Sequence, residues 1–351
     1  MNAFQIFVKN LVFYNGKGGS KMNRDHVIDL LQMNYREIKE GKGRGFDKRV
    51  AYTIAQSYTA KAHHFSDYDY RRMEEILKAE LSVFNLLRQP VRGLLLGMML
   101  ANNKSKELDI QTLLLDYQRL CDVGFQRSSY SYFSAYLLLF TKTAEKEFIV
   151  RKARSIFEEL KSHHYFLTGA KDGAISITLA QQEKLESLTS KQIAYLVEEY
   201  YQILNKNGFY KSSELQFAAA TAAMLTGYFS HELIEVIIRL IVDLKQIGIK
   251  FKKSLYNNVV TLAFLATIKE IDFQALRGYL ECLEKKTNLR FYKEFRQSLA
   301  LSLMIQEEMN YLMKDDNLNM SALTITMIMA QEASAAAAAI AVSMAAVNSS
   351  S

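Results

Sequence analysis

The sequence predicts an all-α fold, a superhelical array of about seven helix-pair repeats of the HEAT, armadillo or TPR solenoid type. Its 351 residues contain a single proline, which favours long uninterrupted helices because proline breaks a helix interior. Apolar residues recur three or four residues apart through most of the chain, as on one face of a helix. A third observation is a short phrase that returns at an interval of about 40 residues, the size of such repeats. Its copies are Gly124-Phe125, Gly208-Phe209 and Gly248-Ile249, with a copy lacking glycine at residues 160–168.

The helices follow in order from this spacing. The first is predicted from Asp25 to Glu40, where Val27, Leu30 and Ile38 share one face. A glycine-rich loop then leads to a second helix at residues 49–62. The next pair is predicted at 77–84 and 91–100, and the remaining pairs at about 108–141, 147–181, 190–227, 231–268 and 273–313.

Each part of the recurring phrase has a local structural reason. Glycine after a helix adopts the left-handed conformation that ends it, and the apolar residue that follows folds back on the helix. A serine before the next helix caps its free N–H groups. Ser213 and Gln216 have the spacing of a capping box.

The two ends of the chain differ from the repeats. Residues 1–21 are predicted as a weakly ordered tail, residues 22–316 as the helical-repeat domain, and residues 317–351 as an Ala/Ser/Met-rich tail. Between Leu318 and Val347 only Glu332 is ionisable, but alanine and serine supply too little apolar transfer energy for a bilayer span. We therefore expect no membrane partner, while a helix packed on the array and a frayed tail both stay open for the C-terminal segment.

Composition narrows the cellular context and the partners. The two cysteines, Cys121 and Cys282, lie far apart in helical segments, and no secretory signal is recognisable, so we expect a cytoplasmic protein. The net charge of +7 fits an acidic partner such as nucleic acid. A mixed-charge solvated surface is the alternative explanation, since 44 basic residues are interleaved with 37 acidic ones.

No motif in the sequence assigns catalysis, a cofactor or a metal. The glycines at residues 16–19 and 41–45 do not satisfy the phosphate-loop or dinucleotide-binding patterns. The pairs His63-His64 and His163-His164 lack an acidic or cysteine partner in ligand geometry, since Asp67, three residues after His64, is a lone match to a common spacing. We expect no catalytic, cofactor or metal residues from these patterns.

Basic residues recur in the loops that precede successive second helices. Helix N-termini also attract anions through their free N–H groups. We therefore predict a site for phosphate groups or an acidic partner along these loops, with the alternative that the loops are simply solvated. The candidate residues are Arg127, Lys211, Lys250, Lys252 and Lys253.

Four segments of the sequence resemble domain of unknown function 4003, an uncharacterised family found mainly in low-GC Gram-positive bacteria. The resemblance covers Met22 to about residue 313, and an alanine- and serine-rich end is also typical of it. One departure is Lys171, where the family pattern has an acidic residue before Asp172. The four segments are Phe84-x-x-Leu87-Arg88-x-x-x-Arg92, Gly124-Phe125-x-Arg127-Ser128-x-Tyr130-Ser131-Tyr132, Lys161-x-His163-His164-x-Phe166-Leu167-Thr168, and Gly208-Phe209 with Leu215-Gln216-Phe217.

The resemblance implies an all-helical cytosolic protein and brings no activity with it. Polar residues inside otherwise apolar phrases are either structural contacts or a site. The candidates for such a polar site are Arg88, Arg92, His164, Asp172 and Gln216.

Three functions are compatible with these patterns. The preferred one is a non-catalytic adaptor that binds a protein or peptide along the concave face of the array. The alternative is a nucleic-acid-binding protein that uses the basic loop edge. An enzyme with a pocket near His164 and Asp172 is the second alternative, and the sequence identifies neither the ligand nor the oligomeric state.

Overall fold

The structure is a computed structural model, which describes residues 24–42, 46–81, 86–312 and 341–342. Within these ranges the chain forms 14 α-helices and no strand, which confirms the predicted all-α class. The helices are α1 (Arg24–Lys42), α2 (Lys48–Ala60), α3 (Asp67–Glu80), α4 (Val91–Ala101), α5 (Glu107–Asp122), α6 (Ser131–Leu138), α7 (Lys146–His163), α8 (Gly173–Ala180), α9 (Ser190–Lys206), α10 (Ser213–Thr226), α11 (His231–Gln246), α12 (Tyr256–Ile268), α13 (Phe273–Lys286) and α14 (Lys293–Leu312).

These helices form seven hairpins within the described ranges. Each odd-numbered helix packs against the even-numbered helix that follows it, through a short loop that makes the two antiparallel. The hairpins coincide with the predicted pairs, although α3 begins at Asp67 rather than at Leu77.

The hairpins close into a ring. Each even-numbered helix contacts the next even-numbered helix, and α14 completes the circuit by contacting α2. On the outside, α13 packs against α1. The sequence predicted an extended array with separate ends, and these contacts between the first and last hairpins correct that prediction.

Polar contacts stabilise the interface between the first and last hairpins, which we call the seam. The Lys286 ammonium lies 2.8 Å from carboxylate oxygens of both Asp25 and Asp29. The Asn288 side-chain amide donates to the Tyr35 hydroxyl at 2.9 Å. The Tyr35 ring in turn stacks on Tyr52 with centroids 4.0 Å apart, so the seam is tied into the core.

Inner and outer helices differ in the pattern of their buried residues. The inner helix α10 is buried at every position from Leu215 to Leu225, because it has helices on both sides and another behind it. The outer helix α11 buries a stripe that includes Leu233, Ile237 and Leu244, and leaves its other face to solvent. A continuous apolar run therefore marks an inner helix in this chain.

The recurring glycines end the outer helices as predicted. Gly124 and Gly208 have φ angles of 98° and 96°, which non-glycine residues rarely adopt. The residue after each one donates its backbone N–H to the carbonyl five residues earlier, as Phe209 does to Leu204 at 3.2 Å. Phe209 is buried, so the turn also anchors the loop to the core.

The predicted capping box before α10 is wrong in its register. Ser212 is the capping residue, because its hydroxyl accepts the Leu215 N–H at 3.2 Å. The Gln216 side chain turns to Thr168 of the neighbouring loop instead, at 2.9 Å. A tertiary contact therefore replaces the local one.

We call the side of the ring that carries the loops from outer to inner helices the loop face. It comprises residues 46–47, 86–90, 123–130, 164–172, 207–212, 247–255 and 287–292. A loop contacts the first residue of the next inner helix: Lys171 donates to Ser213 at 2.6 Å, and the Tyr210 N–H donates to the Tyr256 hydroxyl at 2.8 Å. Loops from successive hairpins therefore lie side by side.

Close packing of the inner helices makes a prediction at Gly97. A methyl group added there would lie 2.6 Å from Cγ2 of Ile54, which is fully buried and cannot move aside. We expect Gly97→Ala to lower the free energy of unfolding by about 1–3 kcal/mol, measured by urea denaturation. Gly169→Ala is the control, because a methyl group there meets nothing within 4 Å, and an equal loss in both variants would contradict the packing argument.

The predicted N-terminal tail at residues 1–21 lies outside the described residues, as does nearly all of the predicted C-terminal tail at 317–351. The exceptions are Ala341 and Val342, which are helical, and Val342 is buried. The boundaries predicted for the domain and the two tails stay predictions.

Candidate functional site

The inner helices of the ring surround a cavity of about 860 Å³ that is partly open to solvent. Its lining comes from α2, α8, α10, α12 and α14, from Asn102 at the end of α4, and from Ala341 and Val342. A volume of this size is typical of small-molecule sites. The polar side chains that line it include Thr53, Gln56, Ser57, Asn257, Asn258, Thr261, Ser298, Ser302 and Gln306.

Three amides in this lining are each held by the protein at one end. The Asn257 oxygen accepts from the Thr221 hydroxyl at 2.5 Å, and the Asn258 amide nitrogen donates to the Ser298 carbonyl at 3.0 Å. The Gln306 nitrogen donates to Asn310 at 2.9 Å. The other end of each amide has no hydrogen-bond partner among the described residues, so each amide is oriented by the protein and keeps a donor or acceptor unused within these ranges.

Asp172 lies at the cavity wall, at the N-terminus of α8. Its Oδ2 accepts the Gly169 N–H at 2.8 Å, while its Oδ1 has no hydrogen-bond donor within the described part of the chain. The side chain is almost wholly buried, and this burial raises the pKa of the carboxyl to about 6 despite the Gly169 hydrogen bond and the nearby Lys171. The Glu214 carboxylate adds to the rise. A carboxyl with such a pKa exchanges a proton near neutral pH.

Charged groups surround this end of the cavity. Lys171 and Glu214 line it beside Asp172, Lys253 lies in the loop just before α12, and Lys293 begins α14. The N-termini of α8, α10 and α12 point the same way, which adds positive partial charge. This end therefore offers hydrogen-bond donors, acceptors and charges of both signs.

The polar site predicted from the sequence does not assemble as one cluster. The His164 Nε2 lies 2.6 Å from the Glu198 carboxylate, and its ring packs on Tyr201. Gln216 is fully buried against Thr168. Of the predicted pair His164 and Asp172, only Asp172 lines the cavity.

Arg88 and Arg92 lie in another part of the ring. Arg92 approaches the Glu74 carboxylate at 3.6 Å, and Glu74 also accepts from Gln89 at 3.0 Å. Arg88 is exposed on the loop face. These arginines do not line the cavity.

The predicted anion-binding residues share the loop face and are all exposed. Lys252 forms an ion pair with Glu294, and Lys253 also lines the cavity. The residues without an ion pair in the described ranges are Arg127, Lys211, Lys250 and Lys253.

Sequence reasoning missed most of the cavity lining. A signal was present in α14, where Ser298, Ser302 and Gln306 recur every four residues within an otherwise apolar stretch. This spacing places three polar side chains on one helical face. A polar stripe on a helix that is buried on its other sides indicates an internal cavity.

The described part of the chain offers neither a metal site nor a membrane span. No group of three or more His, Cys, Asp and Glu side chains is arranged there to hold a metal ion. None of its helices combines the length and the apolar character that crossing a membrane requires.

Comparison with known proteins gives one family and one relative. Residues 34–333 match the family described as "Protein of unknown function (DUF4003)". The chain is 23% identical over 295 residues to "Uncharacterized protein YeaA" of Bacillus subtilis (strain 168). The aligned residues cover 82% of this chain and 86% of the relative. No solved structure shows a significant match.

Proposed function

Because this chain belongs to the DUF4003 family, whose function is unknown, we propose its role from its own geometry: it binds a polar small molecule inside the ring. The observation that carries the proposal is the set of oriented amides at Asn257, Asn258 and Gln306. Within the described ranges, each keeps one unused donor or acceptor in a cavity of about 860 Å³. Fixed polar groups are what give a small-molecule site its specificity.

The chemistry of the lining indicates the class of ligand. Most of the lining surface is apolar, with aromatic rings at Phe217 and Phe295; its polar groups are mainly hydroxyls and amides, with charges at Asp172, Glu214 and Lys253. A hydroxyl-rich molecule with a charged group matches this set, because its hydroxyls pair with the amides and its charged group with the ionic end. Hexose phosphates and nucleosides are suitable probes of that class.

The adaptor function expected from the sequence depended on an exposed concave groove. In the ring, the inner surfaces of α2, α8, α10, α12 and α14 line the cavity instead, which favours a small ligand over a long peptide. The enzyme alternative is compatible with the same cavity, since Asp172 exchanges a proton near neutral pH. Binding is therefore the common step to test first.

The test is a melting-temperature screen of the native chain against hexoses, hexose phosphates, nucleosides and amino acids. A ligand that binds only the folded state raises the melting temperature, and we expect at least one compound to do so. Ser298→Trp would fill the cavity from α14 and abolish the shift. Unchanged melting temperatures with every compound, or the same shift in the Ser298→Trp variant, would contradict the proposal.

A milder pair of variants tests the amides directly. Gln306→Met keeps the length of the side chain but removes the free oxygen, so the dissociation constant of a compound found in the screen should rise about 2- to 10-fold. Gln202→Met on the outer helix α9 is the matched control, because Gln202 is exposed and bonds only to Glu198. Isothermal titration calorimetry measures both. An equal change in the two variants would place the ligand outside the cavity.

A further inference from the structure

The loop face exposes aromatic rings to an unusual degree. Phe166 is 97% exposed and Phe291 is 91% exposed, although phenylalanine is normally buried. Tyr165 and Tyr210 are also exposed on the loop face, at 66% and 72%. These rings come from three different loops of one side of the molecule, so their exposure is not the property of a single turn.

Positive charge accompanies these rings. The loop face and the adjoining first turns of the inner helices carry cations that have no ion pair among the described residues. The Glu214 carboxylate, which has no ion pair in these ranges either, lines the cavity. The inner helices begin on the same side, so their free N–H groups add donors for anions. The unpaired cations are Arg127, Lys211, Lys250, Lys253, Arg290 and Lys293.

We propose that the loop face binds single-stranded nucleic acid, with bases stacked on Phe166 and Phe291 and phosphates bound by the surrounding cations. Base stacking on exposed aromatic rings together with a basic surface is the general means of holding single strands without sequence preference. Rings and cations also lie next to each other, as Tyr210 does to Lys211 and Phe291 to Arg290. This proximity suits a strand that carries both bases and phosphates. A surface that binds a bilayer would instead present one continuous apolar patch.

The aromatic part of the proposal is tested with a fluorescein-labelled 20-nucleotide oligothymidine by fluorescence anisotropy. We expect the double variant Phe166→Ala/Phe291→Ala to weaken binding by about tenfold or more, since each stacked ring contributes substantially. Phe148→Ala is the matched control. Phe148 is 64% exposed but lies in the first turn of the outer helix α7, on the opposite side of the ring.

The ionic part is tested by the salt dependence of the same binding. Binding should weaken steeply between about 50 and 200 mM salt. The slope in question is that of the logarithm of the binding constant against the logarithm of the salt concentration. The triple variant Lys211→Gln/Lys250→Gln/Lys253→Gln should reduce the magnitude of this slope by about one for each phosphate that it no longer neutralises. Lys191→Gln, at the start of α9 on the opposite side, should leave the slope unchanged.

Because all these side chains are exposed, the variants should fold, and circular dichroism melting checks this. The proposal is overturned if the native chain does not bind the oligonucleotide, or if Phe148→Ala weakens binding as much as the double variant. Binding of anionic vesicles or of polyglutamate in place of the oligonucleotide would also overturn it. Phe291 and Lys253 also line the cavity, so Ser298→Trp separates the two proposals. This variant fills the cavity without changing the loop face, and it should abolish binding of the small molecule but leave binding of the oligonucleotide unchanged.

Discussion

Replacement of Lys146 by methionine is expected to lower the free energy of unfolding by about 3–5 kcal/mol. The Lys146 ammonium contacts the Asp116 carboxylate, and these side chains are 4% and 0% exposed. Methionine has a similar length but no charge, so the carboxylate would keep only Arg119 as a cationic partner. Since Arg119 is partly exposed, it cannot replace a buried ammonium.

The matched control is Lys142→Met, four residues earlier. Lys142 pairs with Glu145 at 2.7 Å, but both side chains are about half exposed, and such pairs contribute less than about 1 kcal/mol. The double variant Asp116→Leu/Lys146→Met should recover most of the loss, because it removes the buried charge as well. Urea denaturation of the three variants gives the comparison. Equal losses at Lys146 and Lys142 would show that burial of the pair is not the cause.

Replacement of Asp172 by asparagine is expected to stabilise the protein above pH 6. Asparagine keeps an oxygen for the Gly169 N–H but removes the charge that burial penalises. Burial raises the folded-state pKa to about 6 from its usual value of 3.8, so the folded state binds the proton more tightly than the unfolded state does. The contribution of Asp172 to stability therefore falls as pH rises from about 4 to about 6. Above that window the cost is about 2–3 kcal/mol.

The measurement is urea denaturation of both proteins at pH 4, 5, 6 and 7.5. The two curves should agree near pH 4 and separate with increasing pH, with the variant more stable at pH 7.5. Asp109→Asn is the control for removal of a carboxylate cap, since Asp109 accepts the Lys106 N–H at 2.9 Å on the surface. A pH-independent difference between Asp172→Asn and the native chain would contradict the assignment.

The sequence predicts the hairpins well because their ends are fixed locally. Gly124, Gly208 and Gly248 end outer helices through a backbone conformation that depends on the residue itself. The apolar runs of α10 and α12 likewise report burial on all sides, whatever the neighbouring helix is. The predicted pairs therefore match the observed hairpins, except that α3 begins ten residues before its predicted start.

Ring closure could not be predicted in the same way. It depends on contacts such as Lys286 with Asp29, which are ordinary surface residues 257 positions apart. The site shows the same limit, because Asn257 and Gln306 come together only through the packing of α12 on α14. His164 was a candidate because it is polar within an apolar phrase, but the structure pairs it with Glu198 outside the cavity.

The seam between α1 and α13 has a consequence for biosynthesis. Tyr35 and its partner Asn288 are 253 positions apart. The surface of the first hairpin that contacts α13 therefore stays exposed to solvent until most of the polypeptide has left the ribosome. Contacts between such distant segments form slowly. Docking of the final hairpin is then the last folding step, and in the interval that surface is open to chaperones, or to the final hairpin of another nascent molecule.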